Sequence, residues 1–159
     1  MIYRNLIALC LLLTLTLGAW AQTPDYNITC GGQGKDGQYL VRVSATLKQK
    51  NVDAQRELKR LAVHGVLFRG FTGTATGCTT QKPLAGNPDL EFTRADFFTP
   101  FLSDGGGYEK FVSLVASSYS TTKLKKKMQE ATALLLVDKE GLLRFLEQEK
   151  VIQGFSDFW

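Results

Sequence analysis

The chain of 159 residues holds a single histidine, His64, so any acid–base chemistry through imidazole rests on that one side chain. Imidazole titrates closest to neutrality and is the first candidate for a general base. At helical spacing His64 falls with Glu57 and Arg60, on the flank of a polar face. Nothing in the sequence fixes a nucleophile beside it, and the expectation is an exposed structural histidine. Asp89, Glu91, Asp96 and Asp104 are the residue type that glycosidases use in pairs. Their spacing specifies no pair, so a small secreted hydrolase working through loop carboxylates stands as an alternative function. No catalytic residue is assigned.

Two further patterns touch phosphate chemistry. Gly34-Lys35 resembles the end of a phosphate-binding loop, but Thr29 stands where the first glycine belongs and Asp36 where a serine or threonine belongs. A strand follows it, whereas the motif needs a helix whose N-terminal N–H groups face the phosphate. That chemistry is excluded. Lys123, Lys125, Lys126 and Lys127 form a basic run near Tyr119. Such a run contacts phosphate, an acidic glycan or anionic lipid, giving a second alternative: a basic module for acidic polymers. Lysines also guard sheet edges and hairpin tips against edge-to-edge association. The net charge of +4 is a weak footprint for nucleic acid, and no nucleic-acid partner is expected.

The cysteines speak to compartment. Met1–Arg4 form a charged head, Leu6–Leu17 an apolar run, and Ala19-Trp20-Ala21 a small-x-small triplet, the three parts of a secretory signal. The run is shorter than the roughly 20 residues a spanning helix needs. Gln22, not cysteine, follows the triplet, which argues against a lipid anchor. The expectation is therefore a soluble mature chain, exported to the periplasm or secreted. Cleavage removes Cys10 and leaves Cys30 and Cys78, an even pair that reads as a disulfide in an oxidising compartment. A metal centre needs three or four ligands, more than one histidine and a paired cysteine provide. Neither metal nor cofactor is expected. Asn27-Ile28-Thr29 matches the N-glycosylation pattern, which matters only in a eukaryotic host.

These residues must be carried by a small set of elements. Residues 22–37 read as a flexible leader and a Gly-rich loop, and 38–159 as one domain. Tyr39–Leu47 alternate apolar and polar, a half-buried strand. Ala54, Leu58, Leu61, Ala62, Gly65 and Phe68 recur at three and four, a helix over 52–69 capped by Asn51 or Asp53 and stopped at Gly70. Residues 71–88 read as loop, and Thr93 caps a short helix over 94–98. Strands over 111–121 and 128–137 form a long hairpin around the lysine run. Asp138 caps a last helix over 139–148, and the aromatic Phe155–Trp159 packs back on the sheet.

Two stretches carry a resemblance: Asp53-Ala54-Gln55-Arg56-Glu57-Leu58 running on to Phe68-Arg69-Gly70, and Ala133-Leu134-Leu135-Leu136-Val137-Asp138 followed by Leu142-Leu143. Their order, strand, helix, hairpin, helix, resembles small exported proteins of Bacteroidetes-type bacteria. More distantly it is similar to envelope domains of flagellar-assembly and penicillin-binding-protein-activator lipoproteins. The resemblance implies a sheet with helices on one face, an envelope home, and partner binding in place of catalysis. The expected fold is a two-layer α+β domain: a three- to four-stranded mixed or antiparallel sheet with two main helices on one face. The expected function is an exported cell-envelope interaction domain whose partner is an envelope protein or polymer.

Overall fold

The computed structural model describes residues 25–49, 53–73 and 76–153. The expected signal segment and the aromatic Phe155–Trp159 lie outside the described residues, as does Asn51. Within them a five-stranded antiparallel sheet is built from β1 (Tyr26–Gly32), β2 (Gln38–Lys48), β3 (Val112–Leu114), β4 (Ser120–Lys123) and β5 (Met128–Asp138). β2 and β5 form the centre and pair from Gln38↔Asp138 to Lys48↔Met128. β1 flanks β2, while β3 and β4 share the other side of β5. The helices are α1 (Ala54–Phe68), α2 (Leu90–Thr93), α3 (Ala95–Phe101) and α4 (Lys139–Gln148), with a 3₁₀ turn at Gly107–Phe111. The two-layer α+β expectation holds, with one strand more than foreseen.

Alternation decides which face is buried. Val41, Val43, Ala45 and Leu47 of β2 and Ala131, Ala133, Leu135 and Val137 of β5 all point to the helix layer and are nearly or wholly inaccessible. Against them α1 lays Leu58, Leu61, Ala62 and Val66, and α4 adds Leu142 and Leu146. Each fully buried Leu stabilises the fold by about 1.5–3 kcal/mol relative to leaving it exposed. Asp53 begins α1 by accepting from the N–H groups of Gln55 and Arg56. Gly70 ends it with φ +67° and an N–H bond of 2.9 Å to the Gly65 carbonyl. A Cβ at Gly70 would collide with the Gln81 carbonyl oxygen, so only glycine fits the turn.

Three expectations are corrected. The flexible leader is a strand from Tyr26 onward, because Tyr26 and Ile28 alternate inward onto α1 and the strand pairs with β2. The long hairpin is interrupted: Ser117 takes φ 61°, and the Ser118 hydroxyl donates to the Val115 carbonyl at 2.7 Å and accepts from the Leu134 N–H at 3.1 Å. A side chain thus takes the Leu134 N–H from the backbone ladder between β3 and β4. The helix expected over 94–98 is a pair, α2 and α3, and Thr93 ends the first without capping the second.

The Cys30–Cys78 disulfide is formed, as expected. It ties β1 to the segment after α1, where Phe71 and Gln81 exchange backbone hydrogen bonds. Closing a loop of 49 residues stabilises the fold by about 4 kcal/mol in the chain-entropy account. Among the described residues no helix is long and apolar enough to cross a membrane.

Candidate functional site

His64 is buried, 4% accessible, which corrects the expectation of an exposed side chain. The reason is that α1 is enclosed on more than one side: every residue from Leu61 to Phe68 is buried. Its ring sits between Tyr26 of β1 and Glu91 of α2. Nε2 lies 3.0 Å from Glu91 Oε1 and Nδ1 lies 2.6 Å from the Tyr26 hydroxyl. A carboxylate only accepts, so the proton is on Nε2, and the bare Nδ1 accepts from the tyrosine O–H. Burial lowers the His64 pKa, against the pull of the Glu91 charge and hydrogen bond.

The order hydroxyl, imidazole, carboxylate is that of an activated nucleophile. Here the hydroxyl belongs to a buried phenol, 6% accessible, whose pKa is pushed up to about 12, chiefly by burial. The Arg69 guanidinium lies 4.0 Å over the Tyr26 ring and donates to the Tyr26 carbonyl at 3.3 Å. Both imidazole nitrogens are therefore paired inside the fold, and the constellation joins β1, α1 and α2 as a polar strut. Sequence reasoning placed Tyr26 in a leader and so missed it. The alternation Tyr26, Ile28, Cys30 was the available signal.

The loop carboxylates are not gathered into a pair. Glu91 goes to His64, Asp96 lies 3.6 Å from Arg94, and Asp89 and Asp104 are exposed on separate turns. Among the described residues no three of His, Cys, Asp and Glu come together as metal ligands. A cleft of about 270 Å³ opens beside the disulfide at one end of the sheet, lined by Gly34, Gln38, Tyr39, Phe71, Thr79 and Gln81 among others. Tyr39 donates to Gln81 Oε1 at 3.0 Å and Gln81 donates to Thr79 at 2.7 Å. Its lining carries no acid, base or free thiol, and it suits a small neutral polar group.

The sheet's second face carries Leu40, Leu134 and Leu136, each partly accessible, among Thr29, Arg42, Ser44 and Thr132. Leu40 pairs directly with Leu136. The glycines of β1 make the platform flat: a Cβ on Gly31 would meet Leu134 Cδ2 at 2.7 Å, and one on Gly32 would meet Leu40 Cδ2 at 3.3 Å. At the far end of the sheet, Lys123, Lys125, Lys126 and Lys127 are all exposed on the β4–β5 hairpin. The structure thus separates three surfaces: a neutral cleft at one end, a flat apolar face, and a basic tip at the other end. No family model, curated protein or solved structure matches this chain.

Proposed function

We propose that this is an exported cell-envelope protein that works by binding, and that a partner protein lies on the open face of its sheet. The observation that carries this is the outward half of the run Leu134-Leu135-Leu136-Val137. A strand apolar on both faces is the pattern of a sheet covered on both sides. Among the described residues the helices cover one side, leaving Leu134 and Leu136 beside Leu40 at the surface. Leu134 and its neighbours form a level surface rimmed by Thr29, Ser44, Thr132 and the cationic Arg42. That rim fits an apolar patch bordered by hydroxyl, amide and carboxylate groups on another protein. The disulfide supports an oxidising compartment, and the leader read from the sequence supplies the route there.

The test is a photoreactive side chain placed at Leu134, and separately at Glu149 on the helix side, in the protein expressed in its native envelope. A protein adduct of one mass from position 134 and none from 149 is expected. Equal adducts from both positions, or none from 134, would count against the open face as the binding surface. Turnover of glycan, ester or peptide by the purified chain, lost on Glu91→Gln, would restore the hydrolase reading instead.

A further inference from the structure

The lysine hairpin stands apart from the sheet face and from the strut, and its chemistry points elsewhere. Five lysines gather where β2 ends and β4 turns into β5: Lys48, whose Cα pairs with Met128, and Lys123, Lys125, Lys126 and Lys127. All five are exposed, and the ion pairs formed among the described residues use arginines and His64, never these lysines. Between Ser120 and Glu130 the only acid is Glu130 itself. Gln49 anchors the tip by accepting no charge at all: its backbone N–H donates to the Lys127 carbonyl and its amide to the Met128 carbonyl, each at 2.9 Å.

The turn is built against local preference. Lys126 and Lys127 both take φ 59°, the left-handed pair of a two-residue hairpin turn. That conformation favours Asn-Gly, and a side chain bearing a Cβ is strained in it. Two positive charges thus occupy the two positions where glycine or asparagine would serve the fold better. Beside them Leu124 is 42% accessible, one of two large apolar side chains exposed among the described residues. A guard against edge pairing needs charge, and it has no use for an exposed leucine at the apex.

We propose that the tip from Lys123 to Lys127 docks the protein on an anionic phospholipid surface. The ammonium groups lie over headgroup phosphates while Leu124 enters the acyl boundary, the division of labour of an interfacial anchor. A hydrated acidic polymer would engage the lysines and leave Leu124 without a partner. A nucleic acid would call for exposed aromatic rings on which bases stack, and Tyr119, the aromatic nearest the tip in sequence, is half-buried. Each lysine near such a surface multiplies partitioning by about fivefold at low salt, and Leu124 contributes a factor of similar size.

The experiment is co-sedimentation of the full mature chain with vesicles of phosphatidylcholine alone or of phosphatidylcholine mixed with phosphatidylglycerol. Binding to the mixed vesicles alone, weakened by added salt, is expected. The pair Lys125→Glu and Lys126→Glu should abolish it, and Leu124→Gln should reduce it about fivefold with the salt dependence unchanged. Reversing exposed charges elsewhere, Lys110→Glu with Arg144→Glu, should leave most of it. The pair Lys126→Asn and Lys127→Gly relaxes the turn, should fold at least as well, and should still lose about 25-fold in binding. Binding that ignores the tip variants, or falls equally with the remote reversals, overturns the proposal. So does an unchanged Leu124→Gln variant that a soluble acidic polysaccharide displaces completely, which would make the tip a polymer-binding element.

Discussion

The buried strut makes stability depend on pH in a direction fixed by the structure. Lowering the pH from about 7.5 to about 5 is the perturbation. Burial holds the folded-state pKa of His64 below its ordinary value of 6.5. In the unfolded chain the ring takes a proton near 6.5, while the folded chain still refuses it. The unfolded state then binds more protons, and folding stability falls with falling pH. The contribution is complete above pH 6.5 and is lost progressively down to the lowered folded pKa. One proton gives a slope of at most about 1.4 kcal/mol per pH unit within that window. The ring is almost inaccessible, so solvent screening takes little away. Urea unfolding followed by far-ultraviolet circular dichroism at a series of pH values measures the slope. In His64→Gln the slope should vanish between about pH 6.5 and pH 5, and at neutral pH the variant should be less stable by about 1–3 kcal/mol because the buried Tyr26 hydroxyl loses its acceptor. In Glu91→Gln the charge that favours the imidazolium is gone, so the acid-sensitive window should reach to lower pH. A wild-type stability that is flat across this range, or the same slope in His64→Gln, would refute the assignment of a buried neutral imidazole.

Four other outcomes follow from single features. Replacing Cys30 and Cys78 together by serine should cost about 2–4 kcal/mol in urea unfolding, and added reductant should do the same to the wild type. Gly70→Ala forces both a left-handed alanine and a collision with the Gln81 carbonyl, and should cost about 2 kcal/mol or more on the same assay. Tyr108 is fully buried with a hydroxyl that has no hydrogen-bond partner among the described residues and a pKa pushed up to about 12, chiefly by burial; Tyr108→Phe should be neutral or should stabilise by about 1 kcal/mol. Lys126→Asn with Lys127→Gly should stabilise by about 1 kcal/mol as it weakens vesicle binding, separating what the turn does for the fold from what it does for the surface.

What the sequence made legible was what local periodicity and capping control. α1 and α4 were readable because each begins on an aspartate that accepts from free N–H groups and then repeats apolar residues at three and four. β2 was readable because its two faces meet different surroundings. The cysteine pair followed from counting once the leader was set aside. His64 was not legible, because the polar flank of α1 is covered by α2 and β1, elements close in space and distant in sequence. The break between β3 and β4 was hidden for a related reason: whether Ser118 can replace a ladder bond depends on Leu134 being opposite it. β1 went unread because its short alternation begins in a polar stretch next to the leader.

The candidate site divides along the same line. The residue types that invite a catalytic reading, His64, Tyr26 and Glu91, are held together by long-range packing, with the imidazole and the phenol almost inaccessible. The surfaces that remain available are a level apolar face and a basic tip, and both are visible as patterns in β5 and in the turn before it. A buried polar strut costs desolvation that its hydrogen bonds offset only when all are made. Its Tyr–His–Glu order, with Arg69 over the ring, pairs both imidazole nitrogens at the β1 edge of the sheet, and the disulfide ties the same edge covalently. At the opposite edge every residue of β4 is exposed, and the turn that follows carries strained lysines in place of asparagine and glycine. The buried polar contacts and the disulfide thus gather at the β1 edge, and exposed charge at the β4–β5 turn. That division suits the binding role proposed above, because a surface that must accommodate a partner or a bilayer gains from a scaffold whose own order does not depend on it.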